Sequence, residues 1–158
     1  MSFLRYLMLV ALVVWIGGLI FFPVVAQTAF TTLPSRQLAG ALVGRCLTAL
    51  HWMGIVSGVV FLVCSLIYNR FSAGTTNAVS AQHLFILLML VLTLISQFSI
   101  IPHMDAIRAS LPAEIDLVPA SNPARVQFDI LHVWSTRVES AVLLLGLVLV
   151  YLTSKAQA

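Results

Sequence analysis

His51, His103, His132 and Glu139 offer chemistry from within an otherwise apolar chain. Imidazole nitrogen is a common ligand for transition metals, and a pair of histidines can hold haem iron. Three imidazoles at one depth on three helices would form a metal site. Two of them, His51 with His103 or His132, would form the axial pair of haem b. Glu139 stands seven residues after His132, two turns along one helix face. A carboxyl so placed is either protonated and bonded to Gln97 or Gln27, or charged beneath a bound cation. The plainer alternative holds for each group: polar side chains in membranes also fasten helices together, at about 0.6 kcal/mol each.

Covalent and hydrolytic chemistry finds no support. The sequence contains no HExxH, no CxxC, no glycine-rich phosphate loop and no two carboxylates sharing a helix face. The reading leans away from an enzyme.

The elements that must carry these residues are membrane helices. Of the 158 residues 61% are hydrophobic and only 8% charged, with a mean hydropathy of +1.07. A crossing needs about 20 mostly apolar residues, and four stretches provide them. The fold expected is all-α: a single integral membrane domain over 1–158, an antiparallel four-helix bundle with helices at about 4–31, 35–69, 80–104 and 125–154.

Along the first span, Gly17 and Gly18 allow close backbone approach, Trp15 should point inward, and Pro23 should bend the helix. Ser35 is placed to cap the second helix, on which Gly44, His51, Gly54 and Gly58 share a face. We expect Trp15, Gly18, Phe22, Gly54 and Gly58 to face other helices. A polar turn is expected over 69–80. The third helix turns polar towards its end, with Thr93, Ser96, Gln97, Ser99 and His103 on one broad face. The segment from Asp105 to Gln127 is expected as an extramembrane connection. Cys46 and Cys64 share one helix eighteen positions apart, about 27 Å, and cannot bridge.

Alternating helix direction collects Gln27, Arg45, His51, Gln97, His103, Asp129, His132, Ser135 and Glu139 into one half of the membrane. Arg137 points roughly 160° away from Glu139 and needs a partner elsewhere or the headgroups. His83, at the opposite end, is expected at the interface.

Four blocks carry a resemblance: WIGGLIFFPVVAQTAF, LAGALVGRCLTALHWMGIVSGVV, IIPHMDAIRASL and FDILHVWSTRVESAVLLLGL. They resemble a family of small four-span membrane proteins of unknown molecular function, related to eukaryotic transmembrane protein 205. His132 and Ser135 match its histidine and serine, while Glu139 stands where that pattern has asparagine. The resemblance implies a membrane bundle loosely associated with metal or drug tolerance and implies no catalytic reaction. A weaker likeness, through the tryptophan–glycine pattern and scattered histidines, is to copper-resistance membrane domains and a haem-binding membrane oxidase.

The net charge of +3 comes from scattered cations, not from a basic run, which excludes nucleic acid as a partner. The partners expected are the lipid bilayer and, for an accessory subunit, other membrane subunits or a second copy. Arg5, Arg70 and Lys155 mark one side; Arg36, Arg45, Arg108 and Arg125 mark the other, partly in the long connection, where the positive-inside rule weakens. We read both termini as cytoplasmic, in a bacterial inner membrane, and the first apolar run as a retained helix rather than a cleaved signal.

Overall fold

Within lipid, backbone polar groups must bond inside their own segment, so the apolar stretches close into helices. The computed structural model describes residues 2–73, 81–111 and 114–157. It contains α1 (Ser2–Thr32), α2 (Arg36–Ala73), α3 (Ala81–Ile95), α4 (Ile101–Ser110) and α5 (Pro123–Gln157). A π-helical turn, Ser96–Ile100, joins α3 to α4, so the third span is one rod with a widened turn. Among the described residues four runs are long and apolar enough to cross a membrane: Ser2–Thr32, Arg36–Phe71, Ala81–Ser110 and Pro123–Lys155. The protein is an integral membrane, all-α four-helix bundle. The polar turn expected over 69–80 lies mostly outside the described residues.

The ends of the helices follow local chemistry. Ser35 Oγ accepts from the Leu38 N–H at 3.2 Å, capping α2 as its position suggests. Asn122 Oδ1 does the same for α5, accepting from the Ala124 N–H at 2.9 Å. The third span runs six residues beyond its expected end at 104, because the first part of the connection, DAIRAS, is helical. Beyond it lies a short 3₁₀ turn, Ile115–Leu117. Arg125 ties this connection to α5 by donating to the carbonyls of Asp116 and Val118.

Between helices in lipid, close packing takes the place of the hydrophobic drive that assembles soluble cores. Trp15, 1% exposed, is the centre of that packing. A Cβ on Gly54 would sit 2.6 Å from Trp15 Cε2, and one on Gly58 would sit 2.8 Å from Trp15 Cζ3 and 2.6 Å from Leu90 Cδ2. On α1, a Cβ on Gly18 would sit 2.5 Å from Met53 Cε. These glycines face other helices because no side chain fits. Gly44 is different: nothing lies within 4 Å of its would-be Cβ. Phe61, Ile86, Met89 and Val142 complete a buried apolar layer around Trp15.

At the end carrying the chain termini, Arg5 Nε donates to Tyr68 Oη at 3.0 Å, with the guanidinium 5.0 Å over the Tyr68 ring. His83 is not interfacial as expected. It is buried, with Nε2 at 3.1 Å from Ser65 Oγ, because the turn of α3 that carries it packs on α2 instead of facing headgroups.

Candidate functional site

Three helices converge on His51. Its side chain is 2% exposed, and both ring nitrogens are engaged. Nδ1 lies 3.0 Å from Gln97 Oε1, and Nε2 lies 2.5 Å from Glu139 Oε1. Glu139, with its side chain 16% exposed, reaches back from this pair to line a cavity of about 910 Å³.

The local structure explains each placement. His51 shares the face of α2 that carries Gly54 and Gly58, whose missing side chains let α1 and α3 approach closely, and from that face it reaches Gln97 on the third span and Glu139 on α5. Gln97 lies inside the π turn, where the Ile101 N–H bonds to the Ser96 carbonyl. Pro102 stands just beyond, lacking an N–H and crowding the carbonyl four residues back, which a widened turn relieves. Ser96 Oγ, in the same turn, is buried without a hydrogen-bond partner among the described residues. Glu139 follows from the stripe on α5: His132, Ser135, Glu139 and Leu143 all line the cavity.

The cavity lies between α1 and α2 on one side and α4 and α5 on the other. Charged residues sit at its mouth: Arg36 and Asp116 form an ion pair at 3.6 Å, Arg108 and Asp105 another at 3.3 Å. Its walls are apolar, from Phe30 and Phe22 down to Leu19 and Leu47. From Phe30 to Leu19 it extends about 16 Å along α1. Phe128 and His132 stack nearly parallel, with centroids 6.5 Å apart, and the Arg108 guanidinium lies 5.2 Å over the Phe128 ring.

The deepest lining residues are Leu19 and Leu143, and the buried side chains of Trp15, Phe61, Ile86, Met89 and Val142 lie outside the lining. The cavity is a blind funnel rather than a pore.

The other candidate residues are distributed differently. Ser135 is buried on the cavity wall. His132 lines the cavity but is exposed, and His103 is exposed on α4. The three imidazoles do not converge: among the described residues no three of His, Cys, Asp or Glu group to hold a metal ion. Their depths explain this. Measured from the helix ends on the cavity side, His103 lies about 10 Å in, His132 about 14 Å and His51 about 22 Å. Glu139, about 24 Å in, is the residue level with His51. Haem ligation by His51 through Nε2 would require displacing Glu139, while ligation through Nδ1 would require displacing Gln97.

Arg45 and Gln27 are exposed, and neither lines the cavity. Arg137 is exposed on the far side of α5, with its guanidinium 5.5 Å over the Trp134 ring. Together with Asp129, Ile130 and Val133 they form a shallow groove of about 370 Å³.

Sequence reading identified Gln97 as a partner for Glu139, yet Gln97 bonds to His51, and the His51–Glu139 pair was missed. The signal was present in the near-equal distances of His51 and Glu139 from their helix starts.

A model of a domain of unknown function, DUF4149, matches residues 10–111, from within α1 to the end of α4. His51 and Gln97 fall inside the match, and Glu139 falls beyond it. No curated protein matches the chain, nor does any solved structure. The match spans well over half of the sequence, and the chain belongs to the DUF4149 family.

Proposed function

We propose that this protein is a non-enzymatic, ligand-binding membrane bundle that takes a small amphiphilic molecule into the funnel, its polar head at Glu139. One observation carries the reading: a cavity of about 910 Å³ is lined, deep among apolar side chains, by a carboxylate backed by a buried imidazole. That volume suits a drug-sized ligand, and apolar walls with a few convergent polar groups are the usual composition of such sites. Polar side chains this deep are also costly unless paired or used. The test is binding by the purified protein in mild detergent, read from tryptophan fluorescence and thermal shift. Filling the funnel with Ala26→Trp, on the α1 wall, should abolish binding with helix content unchanged. Equal binding by this variant would place the ligand elsewhere.

Arg137 supports a second reading, an accessory subunit of a larger membrane complex. A charged residue and a tryptophan share a lipid-side groove with Asp129, and a partner helix would cover them. Stoichiometric co-purification with another subunit after mild extraction, lost in Arg137→Leu, is the outcome that reading requires. A transition metal on His51, His103 and His132 has less support, because the imidazoles differ in depth. Haem b on His51 and His132 has less support too, because both His51 nitrogens are engaged. A Soret band in the purified protein would restore the haem reading.

For location we propose a bacterial inner membrane with both termini cytoplasmic and the funnel open to the outside. The support is that Arg36 and Arg108 are ion-paired and Arg125 donates to carbonyls, so all three cations are engaged by acceptors within the connection.

A further inference from the structure

We infer that the ligand's head group is a cation, and that it exchanges for one proton held between His51 and Glu139. This rests on reading the funnel as a ligand site and adds the chemistry of what enters it.

The argument begins at Gln97. Its Oε1 lies 3.0 Å from His51 Nδ1, and an amide oxygen only accepts, so Nδ1 carries a hydrogen. His51 Nε2 and Glu139 Oε1 are 2.5 Å apart. Two lone pairs repel at that separation, so one proton lies between them. Whether the pair is imidazolium with carboxylate or imidazole with carboxylic acid, its net charge is zero.

Adding a cation to that neutral pair would leave a net positive charge beside buried apolar side chains. Removing the proton without a cation would leave a net negative one. Both are penalised where the imidazole is buried and the carboxylate mostly so. The site is balanced with one proton or one cation, and with neither both nor none. When the cation arrives, the shared proton leaves to the water of the funnel, His51 remains neutral, and the Glu139 carboxylate turns its charge to the cation.

Surrounding charges do not change this count. Among the described residues, α1 and the π turn bring no ionisable group to the funnel. From α2 comes Arg36, and from α4 Asp105 and Arg108. The connection contributes Glu114 and Asp116, and α5 contributes Asp129 and His132. Arg36 and Arg108 are paired with Asp116 and Asp105. Glu114, Asp129 and His132 lie towards the mouth, above the pair, where water screens them.

The probe is tetraphenylphosphonium, a permanent cation with no proton of its own, so any proton released comes from the protein. Its neutral counterpart is triphenylphosphine oxide. Purified wild-type protein in weakly buffered detergent should release about one proton per phosphonium bound. Because one proton leaves for each phosphonium bound, the Kd should rise by up to about tenfold for each unit that pH falls. Glu139→Gln, checked for helix content and monodispersity, should bind the phosphonium at least about tenfold more weakly and release no proton. The wild-type proton count decides the matter even if that variant fails to fold. Phosphonium binding without proton release, or with a Kd flat in pH, overturns the exchange and leaves the funnel reading standing. Equal affinity for the neutral oxide overturns the cationic class. Binding of neither compound to folded protein overturns both readings.

Discussion

A histidine that is 1% exposed inside a membrane protein must have both ring nitrogens satisfied, and His51 is satisfied from two other helices. The consequence is measurable. Glu139→Ala leaves Nε2 buried and unbonded, which should cost about 1–3 kcal/mol. Glu139→Gln keeps a group that can hydrogen-bond the imidazole and should lose less. Unfolding in mixed detergent–SDS micelles checks this, and equal losses would count against the hydrogen bond. In a double-mutant cycle, His51→Ala and Glu139→Ala should fall short of additivity by about 0.5–3 kcal/mol, as contacting residues do. The pair was only partly legible in the sequence. The stripe of His132, Ser135 and Glu139 on one face of the last helix followed from spacing alone. Depth did not, because α2 starts well before its apolar part. Counting from the caps at Ser35 and Asn122 brings His51 level with Glu139 and leaves His132 nearer the mouth. Capping is thus the better ruler of depth in a chain whose helices project beyond the hydrocarbon.

Helix contacts here turn on where backbone must come close, and the glycines divide accordingly. Gly54 faces the Trp15 indole, a rigid ring that cannot yield as a flexible side chain would. Gly54→Ala should therefore destabilise by about 1–3 kcal/mol, while Gly44→Ala, with open space around it, should be neutral or stabilise by up to about 1 kcal/mol through helix propensity. The same SDS titration separates them, and a Gly54→Ala as stable as Gly44→Ala would contradict the packing. The glycine face of α2 was readable from its spacing, although spacing placed Gly44 on it without telling that nothing presses there. The π turn was not readable as such. A regular helix was expected through Gln97 and His103, which at 100° per residue are already about 120° apart. The widened turn separates them further, leaving Gln97 half-buried and His103 exposed. Pro102, following a short polar run in the apolar span, was the local signal for it.

For the whole molecule, the length of the apolar stretches required four helices in lipid, since a barrel strand crosses in about 10 residues of alternating polarity. What composition withheld was the unequal packing: α1 lies along α2 and meets α5 over a shorter stretch, which opens the funnel at one end only. Sidedness follows as a prediction. In a background lacking Cys46 and Cys64, a membrane-impermeant thiol reagent added outside cells should label Ser121→Cys and not Ser154→Cys; the reverse pattern would invert the protein. The blind end of the funnel also makes a statement about voltage. Between Glu139 and Thr153 on α5 lie about 21 Å, much of it in the insulating layer around Trp15 and Val142. Nearly all of the transmembrane potential must fall across that layer, although an elementary charge crossing the full field would exchange about 2.3 kcal/mol per 100 mV. Glu139, at the edge of water on the funnel side, feels little of it. Occupancy of the site should track the pH and solute concentration of one compartment and stay constant when the membrane is polarised or depolarised, and a proteoliposome carrying the protein should hold its potential as long as an empty one does.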